Sequence, residues 1–224
     1  MGLARLNPDG GVDADFDAGL VAYSLYSISL QPDGRIIVGG NFFWVGGEAR
    51  NNVARLNADG TLDPTFMSDV NGAVYGTAIQ SDGKILIAGG FTSAGGATRN
   101  FLARLNPDGT VDEGFNPDPS FFVHTLAVQP DGKVLIAGEF ASIGVAQRNR
   151  IARLNADGTL DAGFDPDADQ AIYSICLQAD GRIAGDRVLA FRFAEAAAPE
   201  DRDGLDYWPK SKGLALESFP GLAA

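Results

Sequence analysis

The chain repeats itself every 49 or 50 residues, which restricts its fold more than any other feature. The segment Ala-Arg-Leu-Asn-(Pro/Ala)-Asp-Gly carries its arginine at Arg5, Arg55, Arg104 and Arg153, at spacings of 50, 49 and 49. A second marker, Gln-x-Asp-Gly, starts at Gln31, Gln80, Gln129 and Gln178. Phenylalanines keep step at Phe16, Phe66, Phe115 and Phe164, and the pair Arg-Asn recurs at Arg50, Arg99 and Arg148. A period of this size marks an array of supersecondary units, each burying its faces only against its neighbours.

Within one unit the apolar pattern is that of short strands. Val74–Gln80 reads as a first strand, followed by Asp82-Gly83 as a two-residue hairpin turn of type I′, since glycine tolerates positive φ. Lys84–Phe91 makes a second strand, apolar on both faces, as a strand between two neighbouring sheets must be. A Gly-rich loop at Gly95-Gly96 then leads to a third strand, Phe101–Leu105. Asp108-Gly109 turns the chain into a short fourth strand ending at Phe115. A four-stranded antiparallel meander of this length predicts an all-β fold, a β-propeller with one blade per unit. A β-solenoid is the rival, but its rungs are shorter and lack paired Asp-Gly hairpins.

The units fall at about 1–20 (half), 21–69, 70–118, 119–167 and 168–183 (half). The opening half supplies third and fourth strands and the closing half supplies first and second. Together they predict a composite blade that seals a ring of four and removes exposed sheet edges. After Ile183 the pattern fails. Val188–Phe193 is expected as a displaced second strand, and the remainder of 184–224 as a poorly ordered tail.

Composition narrows the function classes. Twenty-nine Gly and 11 Pro in a chain that is 45% hydrophobic fit many tight turns between apolar strands. Seventeen Lys and Arg against 29 Asp and Glu give a net charge of −12, which repels phosphate backbones and argues against nucleic acid. No apolar run is long enough to span a bilayer, and Met1–Asn7 has no basic region followed by an apolar one, so neither membrane insertion nor a signal peptide is expected. One cysteine and one histidine exclude a zinc cluster of Cys and His.

The stretch Arg104-Leu105-Asn106-Pro107-Asp108-Gly109-Thr110-Val111-Asp112, with Phe115 and the later Gln129-Pro130-Asp131-Gly132-Lys133-Val134-Leu135-Ile136-Ala137-Gly138, resembles the delta-60 repeat. This propeller-like repeat of large bacterial surface and secreted proteins is also known as a β-propeller domain of unknown function. The resemblance covers Leu3 to Ile183. It implies an extracellular or cell-envelope setting and a binding role, and it brings no catalytic residues.

Few residues could carry chemistry. His124 aligns with Tyr26, Tyr75 and Tyr173, so packing within or between blades is its expected role. Cys176 aligns with Ser29, Ala78 and Ala127, a small-residue position, which predicts a buried, inert thiol. Asp165, Asp167 and Asp169 lie close enough in one loop to be the candidate calcium ligands, although an Asp before Gly is more commonly a turn residue. Arg5, Arg55, Arg104 and Arg153 stand opposite Asp13, Asp63, Asp112 and Asp161 across each Asp-Gly hairpin, which predicts a structural ion pair in every copy. The chain is therefore expected to be a non-enzymatic propeller module binding a protein or carbohydrate ligand. The alternatives are a propeller hydrolase or lyase using carboxylates such as Asp13 or Asp161, and a fragment of a longer array without independent function.

Overall fold

A computed structural model describes residues 3–178 and 180–186. The expected strand at 188–193 and the tail to 224 lie outside the described residues. The first whole unit comprises β1 (Leu20–Leu30), β2 (Ile36–Val45), β3 (Glu48–Ala49) and β4 (Val53–Leu56). The second has β5 (Val74–Ile79), β6 (Ile85–Gly89), β7 (Ser93–Ala94), β8 (Ala97–Thr98) and β9 (Leu102–Leu105). The third has β10 (Val123–Val128), β11 (Val134–Gly138), β12 (Ser142–Ile143), β13 (Ala146–Gln147) and β14 (Ile151–Leu154), and β15 (Ser174–Leu177) and β16 (Ile183–Asp186) follow. Each blade is an antiparallel sheet in the order β5-β6-β9, with β1-β2-β4 and β10-β11-β14 as its counterparts. The fold is an all-β array of propeller blades. Among the described residues no helix is long and apolar enough to cross a membrane.

Three local expectations are corrected. The Asp-Gly turns are not of type I′. Gly83 N–H donates to Gln80 C=O at 2.9 Å, Gln80 N–H to Lys84 C=O at 2.8 Å, and only Gly83 has positive φ (83°). This is a three-residue loop, a type I turn followed by a left-handed glycine. Asp82 selects it, because its carboxylate accepts the Lys84 N–H at 3.1 Å while its own backbone stays right-handed. The type I′ turn sits instead in the segment expected to be a loop. Gly95 and Gly96, φ 54° and 81°, form the tip of a small hairpin between β7 and β8. The fourth strand shrinks to a single bridge, Leu105 to Val111. The carboxylate of Asp112 accepts Gly114 N–H and its carbonyl accepts Phe115 N–H, so the chain curls away after one pair.

The core lies between consecutive blades. The middle strands β6 and β11 are buried at every residue. Phe66 packs with Ile85, Ile87 and Leu105 of the following blade, and Phe115 with Val134, Ile136 and Leu154 of the blade after that. Fully burying such side chains stabilises the fold by about 2–3 kcal/mol each. The turn glycine of the next unit receives each phenylalanine: a Cβ on Gly60, Gly109 or Gly158 would meet the ring of Phe16, Phe66 or Phe115 within 3.1 Å.

The two ends of the array differ from its middle. Among the described residues β15 pairs with β16, and no strand of the opening half joins them. Cys176, expected to be buried, is exposed. Its counterpart Ser29 faces the next inner strand, bonding Thr77 at 2.7 Å, whereas no further blade follows β15 in the described chain.

Candidate functional site

Two constellations stand out. One is kept in every copy, and the other departs from the repeat.

The first is a clip between blades. Arg55 Nε donates to Asp63 Oδ2 at 2.8 Å, its guanidinium lies 4.8 Å from the centre of the Phe66 ring, and Nη1 reaches the Pro107 carbonyl of the next blade at 2.5 Å. Arg104 repeats this with Asp112 (2.8 Å), Phe115 (4.3 Å) and the Ala156 carbonyl (2.5 Å), and Arg5 with Asp13, Phe16 and the Ala58 carbonyl. Arg153 pairs with Asp161 at 2.9 Å and covers Phe164 at 4.6 Å. A further cation from the start of the blade's second strand joins each carboxylate: Arg35 to Asp63 at 3.3 Å, Lys84 to Asp112 and Lys133 to Asp161 at 2.8 Å. The Lys84 and Lys133 ammonium groups, with the paired arginines, hold Asp112 and Asp161 at about 2. At Asp63 burial opposes the charge, but the Thr65 hydroxyl and amide and the Arg55 guanidinium outweigh it, again giving about 2. A carboxylate so depressed and flanked by two cations is ionised throughout the physiological range. It serves as structure and is a poor general acid or base.

Two of the three candidate calcium ligands are engaged elsewhere. Asp165 forms an ion pair with Arg148 at 3.2 Å and Asp167 accepts from Asn149 Nδ2 at 2.6 Å. The latter bond recurs between Asn51 and Asp69 and between Asn100 and Asp118, so it belongs to the repeat. Among the described residues no three His, Cys, Asp or Glu side chains gather as a metal site.

The second constellation runs along the inner strands. Tyr26, Tyr75 and His124 are each the extra residue of a β-bulge, with pairing jumping from Leu25 to Ser27, Val74 to Gly76, and Val123 to Thr125. The glycine opposite permits it: a Cβ on Gly89 would stand 2.0 Å from the Ala73 carbonyl oxygen, and one on Gly138 2.1 Å from that of Phe122. Bulges re-aim side chains. Here the three bulged rings, with Tyr173 beyond them, make one row that crosses the blades. Tyr26 meets Tyr75 edge-on at 5.4 Å, Tyr75 tilts against His124 at 5.4 Å, and His124 stacks on Tyr173 at 4.6 Å. Burial raises the Tyr75 phenol above its ordinary value, with Tyr26 and Glu139 adding to the effect.

One stretch of this row breaks the symmetry. His124 replaces tyrosine, and its Nε2 lies 2.8 Å from Oε1 of Glu139, which stands where the other copies have Asn41 and Gly90. Phe121 and Phe122 occupy the places of Tyr23 and Ser24 in the first copy and of Gly72 and Ala73 in the second, and stack on each other at 4.3 Å. Phe122 also meets Tyr75, His124 and Phe101, the last standing where Asn52 and Arg150 stand in the neighbouring blades. Phe101 holds a left-handed backbone (φ 61°), uncommon for a bulky residue. Phe121 and Tyr173 remain exposed. Five non-repeated side chains thus converge on one aromatic patch with a single carboxylate. Sequence inspection aligned His124 with the tyrosines but overlooked Glu139, Phe101, Phe121 and Phe122. Comparing the copies position by position for departures would have found them.

Three segments of the chain, 31–66, 80–115 and 129–164, match the family model described as domain of unknown function (DUF5122) beta-propeller. No curated protein matches the chain. Among solved structures it is similar to a streptogramin B lyase (20% identity, TM-score 0.46, 76% of this chain and 50% of that one). It is also similar to a gluconolactonase from Xanthomonas campestris (15%, 0.48, 82% and 62%) and to the WD40 propeller domain of Doa1 (16%, 0.38, 72% and 60%). The chain thus spans half to about three-fifths of these structures' length, and the likeness is one of fold.

Proposed function

We propose that this chain, whose three matched repeats belong to the DUF5122 β-propeller family, is a non-enzymatic binding module that contacts its ligand through the aromatic patch on its inner strands. The observation that carries the proposal is the meeting of Phe101, Phe121, Phe122, His124 and Glu139, residues that differ from their counterparts and still converge in space. A repeat needs no such departure for stability, since the other blades fold without it. Exposed rings offer stacking area at low entropic cost, and a carboxylate among them supplies one directional acceptor. Those features suit a carbohydrate, through its C–H faces and hydroxyls, or a protein segment rich in apolar side chains. An extracellular or envelope setting, suggested by the family resemblance, belongs to the same proposal.

The rival, a hydrolase or lyase acting through Asp13 or Asp161, finds less support. The Arg5 guanidinium holds Asp13 below its ordinary value, and Lys133 and Arg153 do the same for Asp161. Glycan and peptide arrays probed with the wild type and with Phe121→Ala and Glu139→Gln test the proposal. A binder recognised by the wild type is expected to be lost with either variant while the melting temperature holds. A binder retained by both would remove the patch from the function.

A further inference from the structure

Arg50, Arg99 and Arg148 each follow the small hairpin of a whole unit, and the first of them differs from the other two. On one side all three are held alike: Nη1 donates to the carbonyl of the preceding residue, Ala49, Thr98 or Gln147, at 2.6–2.8 Å. In the later units the guanidinium also carries a carboxylate. Glu113 Oε2 lies 3.2 Å from Arg99 Nη2, and Asp165 Oδ2 lies 3.2 Å from Arg148 Nη1. Nη2 there donates to a main-chain carbonyl as well, that of Glu113 at 3.4 Å and that of Ala162 at 3.3 Å. The first unit has neither carboxylate, because Pro64 stands in the place of Glu113 and Met67 in that of Asp165. Arg50 is nevertheless only 6% exposed, and among the described residues its Nη2 meets no acceptor. Its ion-pair neighbour Glu48 is 64% exposed and stands 3.8 Å from Nη1, beyond hydrogen-bond reach. A buried guanidinium so weakly paired is costly and calls for a partner.

Beside it lies a cavity of about 310 Å³ whose lining includes Arg50, Asn51, Met67, Ser68, Asp69 and Gly95, at the small end of the range for ligand sites. Ser68 is 7% exposed and its hydroxyl has no partner, whereas the later units place Pro117 and Pro166 there. A hydroxyl in want of a bond thus enters the repeat in the unit whose arginine lacks its carboxylate. Asp69 is already engaged by Asn51 Nδ2 at 2.6 Å, in the bond common to all three units. Met67 is exposed and offers a flexible apolar wall. Both sides of the cavity belong to whole units, Arg50 following β3 of the first and Gly95 lying between β7 and β8 of the second.

We propose that this cavity binds a carboxylate-bearing ligand, with Arg50 Nη2 donating to the carboxylate, the Ser68 hydroxyl completing its bonds and Met67 lying along the ligand's carbon chain. The repeat indicates the ligand's chemistry, since Arg99 and Arg148 take a carboxylate from the chain itself where Arg50 is left to receive one from outside. A planar guanidinium fork suits that group. The site shares no residue with the aromatic patch and stands whether or not that patch binds. An acidic side chain of a peptide and a free terminal carboxylate both supply the required group.

Met67 makes the test direct, because the chain has two methionines and one of them lines the cavity. The full chain labelled with ¹³C at the methionine methyls is titrated with N-acetylglutamic acid α-amide, N-acetylleucine, the neutral N-acetylglutamine α-amide and inorganic phosphate. The Met67 methyl resonance is expected to shift saturably with at least one of the two carboxylates and not with the neutral amide or with phosphate. A response to the glutamic derivative alone identifies an acidic side chain as the source, and one to N-acetylleucine alone a chain terminus. Pro64→Glu restores the carboxylate of the second unit at an exposed position and leaves the reporter in place. It is expected to weaken the response at least tenfold, as is Arg50→Gln where circular dichroism shows that variant folded. The proposal is overturned if neither carboxylate shifts Met67, if phosphate or the neutral amide shifts it equally, or if Pro64→Glu responds as the wild type does.

Discussion

The clip between blades and the ring row on the inner strands sit in the same repeat and follow opposite rules. At the clip, Arg55 and Arg104 each keep the carboxylate, the phenylalanine ring and a 2.5 Å bond to the following turn. Along the row, the bulge and its glycine are kept while the residue it aims changes from tyrosine to histidine and gathers new neighbours. A contact that every interface needs leaves no copy free to vary. A side chain aimed out of the sheet by a bulge has no such duty, so one copy can change without unfolding the rest. Constancy here marks what holds the array together, and departure marks the surface proposed to meet a ligand.

The comparison breaks most visibly at the buried phenylalanines. Phe115→Ala should cost about 3–5 kcal/mol in denaturant unfolding, since it empties a filled interface. Phe164→Ala, on a ring only partly buried among the described residues, should cost clearly less. Equal losses would mean that the end interface is already as full as the inner ones.

Next in size is the clip itself. Arg55 is 3% exposed, and Arg55→Ala, which leaves Asp63 with its nearest cation removed, should cost about 2–4 kcal/mol. Arg5→Ala, at a pair whose arginine is 42% exposed, should change stability little because water screens it. A comparable loss at both sites would contradict the assignment of the clip's strength to burial.

The same carboxylates predict a pH dependence. Their folded values, about 2, lie below the ordinary 3.8, so each contributes stability that is fully present above about pH 4 and is lost as pH falls towards 2. Unfolding free energy followed across that window should drop, and Asp112→Asn should flatten the drop. A wild-type curve that stays level from pH 4 to 2 would contradict these shifts.

The smallest effects belong to the row and the acidic loop. His124→Tyr restores the repeat's own residue and should move the melting temperature by no more than a degree or two while abolishing whatever binding Glu139 supports. Because Asp165 and Asp167 already hold Arg148 and Asn149, millimolar calcium should leave the melting temperature unchanged. A calcium-dependent rise would restore Asp165, Asp167 and Asp169 as ligands.

Sequence alone determined the all-β class, the period, the positions of the strands and the pairing of Arg104 with Asp112. Each follows from local rules: alternation, glycine at turns, and the short reach across a hairpin. It misjudged the turn type at Asp82-Gly83, where a side-chain hydrogen bond to Lys84 N–H stabilises a right-handed backbone at the aspartate. It also turned Gly95-Gly96 into a loop, because β7 and β8 are too short to show a pattern. Only the tertiary structure decided that Cys176 is exposed and that His124 meets Glu139. These are relations between residues on different strands or blades, set by bulges and by the packing of one blade on the next. A linear pattern carries neither, because both arise only when the sheets are packed.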